Sequence, residues 1–346
     1  MSTATKTVGT EKAYVLTGEF GIDKLSLQER PMPAVKADEV RIRVNAVSLN
    51  YRDLLVVKGL YSRKLPVPLV LCSDGAGEVV EVGETAKKFA VGDRVAVAFM
   101  PRWTAGPISP EAMRSALGGA IDGMLSEYVI MPEEGLVRVP EHLSYEEAAT
   151  LPCAAVTAWN ALISSGDLKA GDTILTMGTG GVSLFALQFG HMTGARVIIT
   201  SSSDEKLARA KQMGADETIN YRQNPEWEKI VLQMTDKVGV DHVVELGGAG
   251  TLEKSMKAVK AGGQISLIGV LAGGDGMANP LPVVMKNICM QGIYVGSRLM
   301  FEHMNSAISL HKLKPVVDKV FGFDQVREAL QHMESGSHFG KIVIRL

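Results

Sequence analysis

A run of glycines and hydroxyl side chains near the middle of this chain has the composition of a phosphate cradle. Gly178-Thr179-Gly180-Gly181-Val182-Ser183 follows directly on the β-rich run Thr173-Ile174-Leu175-Thr176-Met177. Glycines at such a turn let backbone approach a pyrophosphate, and the free N–H groups and dipole of a following helix hold its charge. About twenty residues on, a site for an unphosphorylated ribose carries an acid. This chain instead has Ser201, Ser202 and Ser203, with Lys206 a turn later. A carboxylate there repels a ribose 2′-phosphate, whereas hydroxyls and an ammonium accept one, and Tyr221 can add a phenolic donor. Ser203, ahead of Asp204-Glu205-Lys206, also suits a helix cap, but a cap accounts for one serine and not three. The expected cofactor is therefore NADP(H).

These groups need a strand, a turn, a helix and a second strand to place them. Val182, Phe185, Ala186 and Phe189 fall at i, i+3, i+4 and i+7, the apolar stripe of a helix. Gly194 ends it, and Arg196 to Thr200 reads as the next strand. Ser183 stands where the third glycine of the dinucleotide fingerprint is usual, so the helix is expected to pack slightly further off. Helix and strand alternate from Ser144, which opens a capping box with Glu147. Helices Asp204 to Met213 and Thr251 to Val259 alternate with strands Asp241 to Leu246, Gln264 to Gly269 and Cys289 to Gly296. This rhythm predicts a doubly wound parallel sheet. Further on, Asp324 is expected to cap a helix burying Val326, Ala329, Leu330 and Met333, and Lys341 to Ile344 to form a closing strand.

The first third reads differently. Residues 1–10 look frayed. Tyr14 to Leu16, the alternation Val40, Ile42, Val44, Ala46, then Gly75 to Gly83 and Val91 to Val97 read as short strands with hardly a helix among them. Together with Gly123 to Met131 they predict a β-barrel-like domain. Pro101 to Asp122 is a long insertion with a short helix capped by Ser109. Its Arg102 and Trp103 suit either a pocket rim or a solvated excursion.

The 346 residues suffice for two domains, and the composition, 46% apolar and 21% charged, is that of an ordinary globular protein. A formal net charge of −2 provides no global field for nucleic acid or an anionic membrane. Cys72, Cys153 and Cys289 are scattered and odd in number, which suits a reducing cytoplasmic setting. No run reaches the roughly 18 apolar residues that span a bilayer.

Several segments, taken together, resemble the medium-chain dehydrogenase/reductase superfamily over nearly the whole length. They are N-Y-R-D (Asn50 to Asp53), G-A-G-E-V (Gly75 to Val79), V-G-D-R-V (Val91 to Val95), L-P-C-A-A-V-T-A-W (Leu151 to Trp159), the glycine loop, G-A-D (Gly214 to Asp216) and the terminal G-K-I-V-I (Gly340 to Ile344). The resemblance implies an α/β protein with a GroES-like β-barrel catalytic domain (1–135), a Rossmann dinucleotide-binding domain (136–300) and a return to the catalytic domain (301–346). It places the nicotinamide in a cleft between domains. By the same resemblance Thr157 is expected near the nicotinamide or its phosphate, Gly247, Val270 and Ala272 along the cofactor, backbone at Val295 and Gly296 on the nicotinamide carboxamide, and Lys341 reaching the cofactor from the C-terminal segment. These join Gly178, Gly180, Gly181, Val182, Ser201, Ser202, Lys206 and Tyr221 of the cradle in one cofactor set. A homodimer through the last Rossmann strand is expected.

The chain departs from the zinc members of that superfamily at their metal. Matched residue by residue, the Cys-His-Glu-Cys set becomes Asn50, Ser73, Asp74 and Cys153, and no histidine precedes His142. A site from Cys72, Asp74 and Cys153 is conceivable but lacks the usual imidazole. N-Y-R-D resembles the zinc-free quinone oxidoreductase and enone reductase branch. The resemblance implies a small-molecule quinone or conjugated carbonyl as substrate, with Tyr51 and Asn50 expected to orient the acceptor oxygen, and the charge balance predicts no nucleic-acid or membrane partner. The rival expectations are an alcohol dehydrogenase of zinc-type fold and a non-catalytic role of the crystallin or RNA-binding kind.

Overall fold

The computed structural model describes residues 7–62, 64–269, 271 and 279–346. The chain packs as two units, Met1–Cys153 with Gly296–Leu346, and Ala154–Val295. The first unit therefore extends beyond residue 135 and takes in the helix that follows Ser297. Among the described residues no helix is long and apolar enough to cross a membrane.

The first unit begins with strands β1 (Thr7–Leu16), β2 (Ser26–Pro33) and β3 (Glu39–Leu49), then helix α1 (Tyr51–Val57). Strands β4 (Leu69–Val70), β5 (Asp74–Val82), β6 (Arg94–Val97), β7 (Tyr128–Pro132) and β8 (Leu136–Arg138) follow, with helices α2 (Pro110–Met113) and α3 (Tyr145–Ala148). Thr7 to Thr10, expected to fray, pair with β2 instead. The alternation in β3 places Val40, Ile42, Val44 and Ala46 in the core. Arg41 is buried as well, because Glu81 and the Pro33 carbonyl take its guanidinium.

Helix α1 is the element that the strand-like reading of this region omits. Asp53 accepts the Asn50 N–H at 2.7 Å, and the Asp53 N–H donates to the Asn50 carbonyl at 2.9 Å. An Asn followed three residues later by an acid is the shape of a capping signature, so the sequence carried the signal. The Ser109 cap on α2 forms as expected. Trp103 in the insertion is buried, its indole N–H on the Gly106 carbonyl, so it is not part of a solvated excursion.

The second unit contains α4 (Val156–Trp159), β9 (Thr173–Met177), α5 (Gly181–Thr193), β10 (Arg196–Ser201), α6 (Asp204–Gln212), β11 (Glu217–Asn220) and α7 (Trp227–Met234). It continues with β12 (Val240–Glu245), α8 (Leu252–Ala258), β13 (Val259–Leu267), α9 (Leu281–Met285) and β14 (Cys289–Gly292). All six strands run parallel in the order β11-β10-β9-β12-β13-β14, the doubly wound sheet expected. Buried on both faces, its strands are apolar runs: Leu175, Ile198, Val243 and Ile265 are fully inside.

The chain then returns to the first unit through α10 (Arg298–His311), β15 (Val317–Gly322), α11 (Val326–Glu334) and β16 (Lys341–Arg345). Asp324 does not cap α11. It lies in a short 3-10 turn, Phe323–Gln325, where the Gln325 side chain takes the Gly322 N–H at 3.0 Å. Strand β16 joins the seven-stranded sheet antiparallel to β3, with Ile342 opposite Leu49. That register sets Lys341 beside the start of α1.

Candidate active site and dinucleotide cradle

In the first unit, the residues at the zinc-ligand positions form one hydrogen-bonded cluster. Lys341, 3% exposed, donates from Nζ to the Leu49 carbonyl at 2.7 Å and to Asn50 Oδ1 at 2.6 Å. It stands 3.9 Å from Asp74 Oδ2. An ammonium has no acceptor, so it fixes the amide of Asn50 with oxygen inward and the NH2 turned the other way. Asn50 Nδ2 then donates to Ser73 Oγ at 3.3 Å, and Ser73 Oγ to Asp74 Oδ1 at 2.9 Å. The Cys153 N–H donates to Asp74 Oδ2 at 3.2 Å.

Burial raises the Asp74 carboxyl against the downward pull of Lys341. Burial, followed by the neighbouring carboxylates of Asp53 and Asp74, pushes the Cys72 thiol well up. Burial and then Asp74 do the same to Cys153, so both stay neutral thiols. Cys72 also carries a positive φ of 66°. A Cβ on Gly123 would stand 2.1 Å from its carbonyl oxygen, so this strained backbone is held by a close approach that only glycine permits.

Zinc takes thiolate, imidazole or carboxylate donors. Here an amide, a hydroxyl, one carboxyl and a neutral thiol occupy those positions, and the carboxyl of Asp74 already faces the Lys341 ammonium and the Cys153 N–H. This donor set does not fit the metal. Among the described residues no group of three or more His, Cys, Asp or Glu side chains is gathered to hold one.

Tyr51 opens α1 but is 44% exposed and stands outside the cluster that Asn50 joins. Arg52 donates to the Leu117 carbonyl at 2.8 Å, with its guanidinium over the rings of Tyr61 and Phe99. Asp53 is fully buried, with one carboxyl oxygen unpartnered. Burial, opposed chiefly by Arg52, pushes its carboxyl up to about 6. A carboxyl raised in the folded state contributes stability that is complete below its unfolded value and lost as pH rises through about 6. Asp53→Asn keeps the cap acceptor and removes that loss. The variant should gain on the wild type between pH 4 and 8 by on the order of 3 kcal/mol, the worth of a roughly two-decade displacement. Melting curves at several pH values test this, and a gap that stays constant or narrows as pH rises would refute it.

In the second unit, Gly178 takes a φ of 75°, and a Cβ at Gly178 or Gly180 would meet nothing within 4 Å. The backbone there faces open space in front of α5, whose first residues are Gly181 and Val182. Ser183, in the third-glycine position, is fully buried and returns its hydroxyl to the Met177 carbonyl at 2.5 Å. The close helix–strand approach falls instead at Gly190, where a Cβ would stand 2.5 Å from Ile174. Ser201 ends β10 opposite Asn220 of β11, and its carbonyl accepts the Tyr221 N–H at 3.0 Å. Ser203 caps α6 by accepting the Lys206 N–H at 3.3 Å. The serines, Lys206 and Tyr221 thus gather at the carboxyl ends of two adjacent parallel strands, beside the glycine loop that follows β9.

Glu245 was not singled out from sequence. Fully buried at the end of β12, its Oε1 accepts the N–H groups of Gly247 and Gly248 at 2.8 and 3.0 Å and the Thr251 hydroxyl at 2.5 Å. It thereby shapes the loop that carries Gly247. A charged residue ending a hydrophobic strand ahead of a glycine pair was the available signal. Thr157 lies buried on α4, Val295 and Gly296 are buried, and Val270 and Ala272 fall outside the described residues.

The family described as alcohol dehydrogenase GroES-like domain matches residues 36–141, and that described as zinc-binding dehydrogenase matches residues 181–310. A zinc-type alcohol dehydrogenase-like protein of Schizosaccharomyces pombe is 45% identical over 96% of this chain and 99% of its own. A solved NAD-dependent alcohol dehydrogenase superposes with a TM-score of 0.88 at 35% identity, covering 97% of this chain and 99% of that one. The quinone oxidoreductase from Coxiella burnetii superposes at 0.81 with 26% identity, covering 97% and 99%.

Proposed function

The chain belongs to the medium-chain dehydrogenase/reductase superfamily, and we propose that it is an NADPH-dependent, zinc-independent oxidoreductase that reduces a quinone or an α,β-unsaturated carbonyl. The observation that carries this reading is the Lys341 ammonium hydrogen-bonded to Asn50 at 2.6 Å, at the position that the resemblance matches to the first metal ligand of the zinc members.

The N–H groups at Gly180 to Val182 and the start of α5 hold the pyrophosphate. Ser201, Ser202, Lys206 and Tyr221 hold the 2′-phosphate. Thr157, Gly247, Val295 and Gly296 line the rest, and Val270 and Ala272 belong to the same set. Lys341 acts through Asn50, a different role from direct cofactor contact. Bound in this cradle, the reduced nicotinamide supplies a hydride. Asn50 Nδ2 donates to the acceptor oxygen, and the ammonium behind its amide strengthens that donor as negative charge develops there. The last proton comes from Tyr51 or water. An acceptor whose charge spreads over a conjugated system needs no stronger electrophile than this.

The NAD-dependent alcohol dehydrogenase neighbour favours a second reading, alcohol oxidation. A panel of quinones, enones, enoyl-CoA esters and aldehydes with NADPH and a chelator separates the two. Turnover of quinone or enone unaffected by chelation is the expected result. Alcohol oxidation with NAD⁺ that chelation abolishes would overturn it.

The proposed assembly is a homodimer. Every residue of the edge strand β14 is exposed, and nearby Leu281, Val284 and Met285 are 57%, 74% and 75% exposed. An unpaired strand edge flanked by apolar side chains is an association surface. Val284→Glu with Met285→Glu should halve the mass seen by light scattering, and an unchanged mass removes this edge as the interface.

A further inference from the structure

Val295 has a φ of 60°. A β-branched residue in the left-handed region is an outlier that persists only when its surroundings hold it. The hold is visible. Asn160 Nδ2 donates to the Val295 carbonyl at 2.7 Å, and the two residues are each 5% exposed. The Val295 carbonyl can only accept, so it fixes the amide with Nδ2 toward it, and the Ser165 hydroxyl then donates to Oδ1 at 2.8 Å. Asn160 begins a π-helical segment, Asn160–Ser164, directly after α4. That irregular turn is tied to β13 by the Ser266 hydroxyl on the Ala161 carbonyl at 3.1 Å. The chain reaching Val295 leaves the same strand, since the Ile293 N–H donates to the Leu267 carbonyl at 3.0 Å. Both ends of the clamp are therefore referenced to one strand of the sheet. Such π-bulges recur where a helix must present a functional side chain, and Thr157 stands one turn earlier on the same face.

We propose that Asn160 is a positioning residue for the reactive end of the cofactor: it clamps the Val295 carbonyl and so holds the Val295 backbone in the conformation that meets the nicotinamide carboxamide. The proposal rests on the cofactor reading above. It adds that binding of the nicotinamide half depends on a buried side chain that touches no cofactor atom itself. The strain at Val295 is stored in the free protein, so the backbone is aimed before the ligand arrives.

The test compares two ligands that differ at that half, NADPH and 2′-phospho-ADP-ribose, by fluorescence or calorimetric titration. Asn160→Ala should weaken NADPH about tenfold and leave 2′-phospho-ADP-ribose within about twofold of wild type. Val295→Gly placed in the Asn160→Ala background should recover part of the loss, since glycine reaches the left-handed region without being held there. Ser165→Ala, at an exposed position, keeps the test valid if Asn160→Ala folds poorly. It removes one of the two anchors of the amide and should weaken NADPH about threefold with no change for the truncated ligand. Equal weakening of both ligands, or unchanged NADPH affinity in folded variants, overturns the proposal. A wild-type protein that binds NADH and ADP-ribose in place of the phosphorylated pair overturns the NADPH reading alone. The same variants then decide the role of Asn160 with NADH and ADP-ribose.

Discussion

Lys341→Met is expected to lower kcat for the conjugated acceptor by roughly 10²- to 10³-fold, the scale of removing a donor that supports a developing oxyanion. It should also lower the melting temperature. Methionine keeps the length and apolar stem of the side chain but removes the donors to Leu49 and Asn50. The Asn50 amide is then free to turn its oxygen outward, and a lone pair faces the substrate oxygen where an N–H belongs. Asp74, fully buried, loses its neighbouring cation. Stripping one partner from a buried pair costs about 3–5 kcal/mol, because the remaining charge has no solvent to compensate it. Asp74→Asn added to Lys341→Met should therefore restore much of the stability and little of the activity. That split is the informative result, since it separates the electrostatic support of the fold from the orientation of Asn50. Full activity in Lys341→Met would end the reading of this ammonium as the built-in cation of the site. A loss confined to NADPH affinity would return Lys341 to direct cofactor contact.

Ser202→Asp is expected to reverse cofactor preference. The hydroxyls at the end of β10 offer donors and no charge, and Lys206 on the first turn of α6 adds a positive one. A carboxylate at that place confronts the phosphate, and even a single unit of its charge about 4 Å away at an effective dielectric near 20 is repelled by about 4 kcal/mol. NADPH affinity should fall by roughly 10²- to 10³-fold. NADH affinity should hold or improve, because the acid can accept from the ribose 2′-OH. Parallel titrations of wild type and variant with both cofactors decide it. A wild-type preference for NADH would falsify the serine-triplet reading before any variant is made. Salt offers a second check, since the phosphate contribution should weaken as ionic strength rises.

The cradle was legible because its parts lie within one short stretch. Strand, glycine turn and helix between Thr173 and Thr193 follow from local periodicity and turn chemistry, and the structure forms them within a residue or two. The substitution of Ser183 for glycine was visible, but its consequence was not: the hydroxyl bonds back to Met177 and Gly190 takes over the close approach. Helix α1 was missed although Asn50 and Asp53 announce it, because the alternating strands around it set the expectation. Glu245 and Asn160 carried little in sequence beyond their polarity, since what makes each matter is a partner on another element.

By itself the amino-acid sequence determined the parallel sheet, the place of the glycine loop and the absence of an acid at the end of the second strand, all written in residue type and short-range spacing, where the backbone periods of 2 and 3.6 operate. The loss of the first Cys and the His of a zinc site, with Cys153 kept, followed from the resemblance to the superfamily. What replaces those donors was decided only by tertiary structure. Lys341 and Asn50 are 291 residues apart, and nothing local to either names the other. The antiparallel register of β16 on β3, with Ile342 opposite Leu49, delivers the ammonium to the amide, because a one-residue slip would turn Lys341 to the opposite face of the sheet.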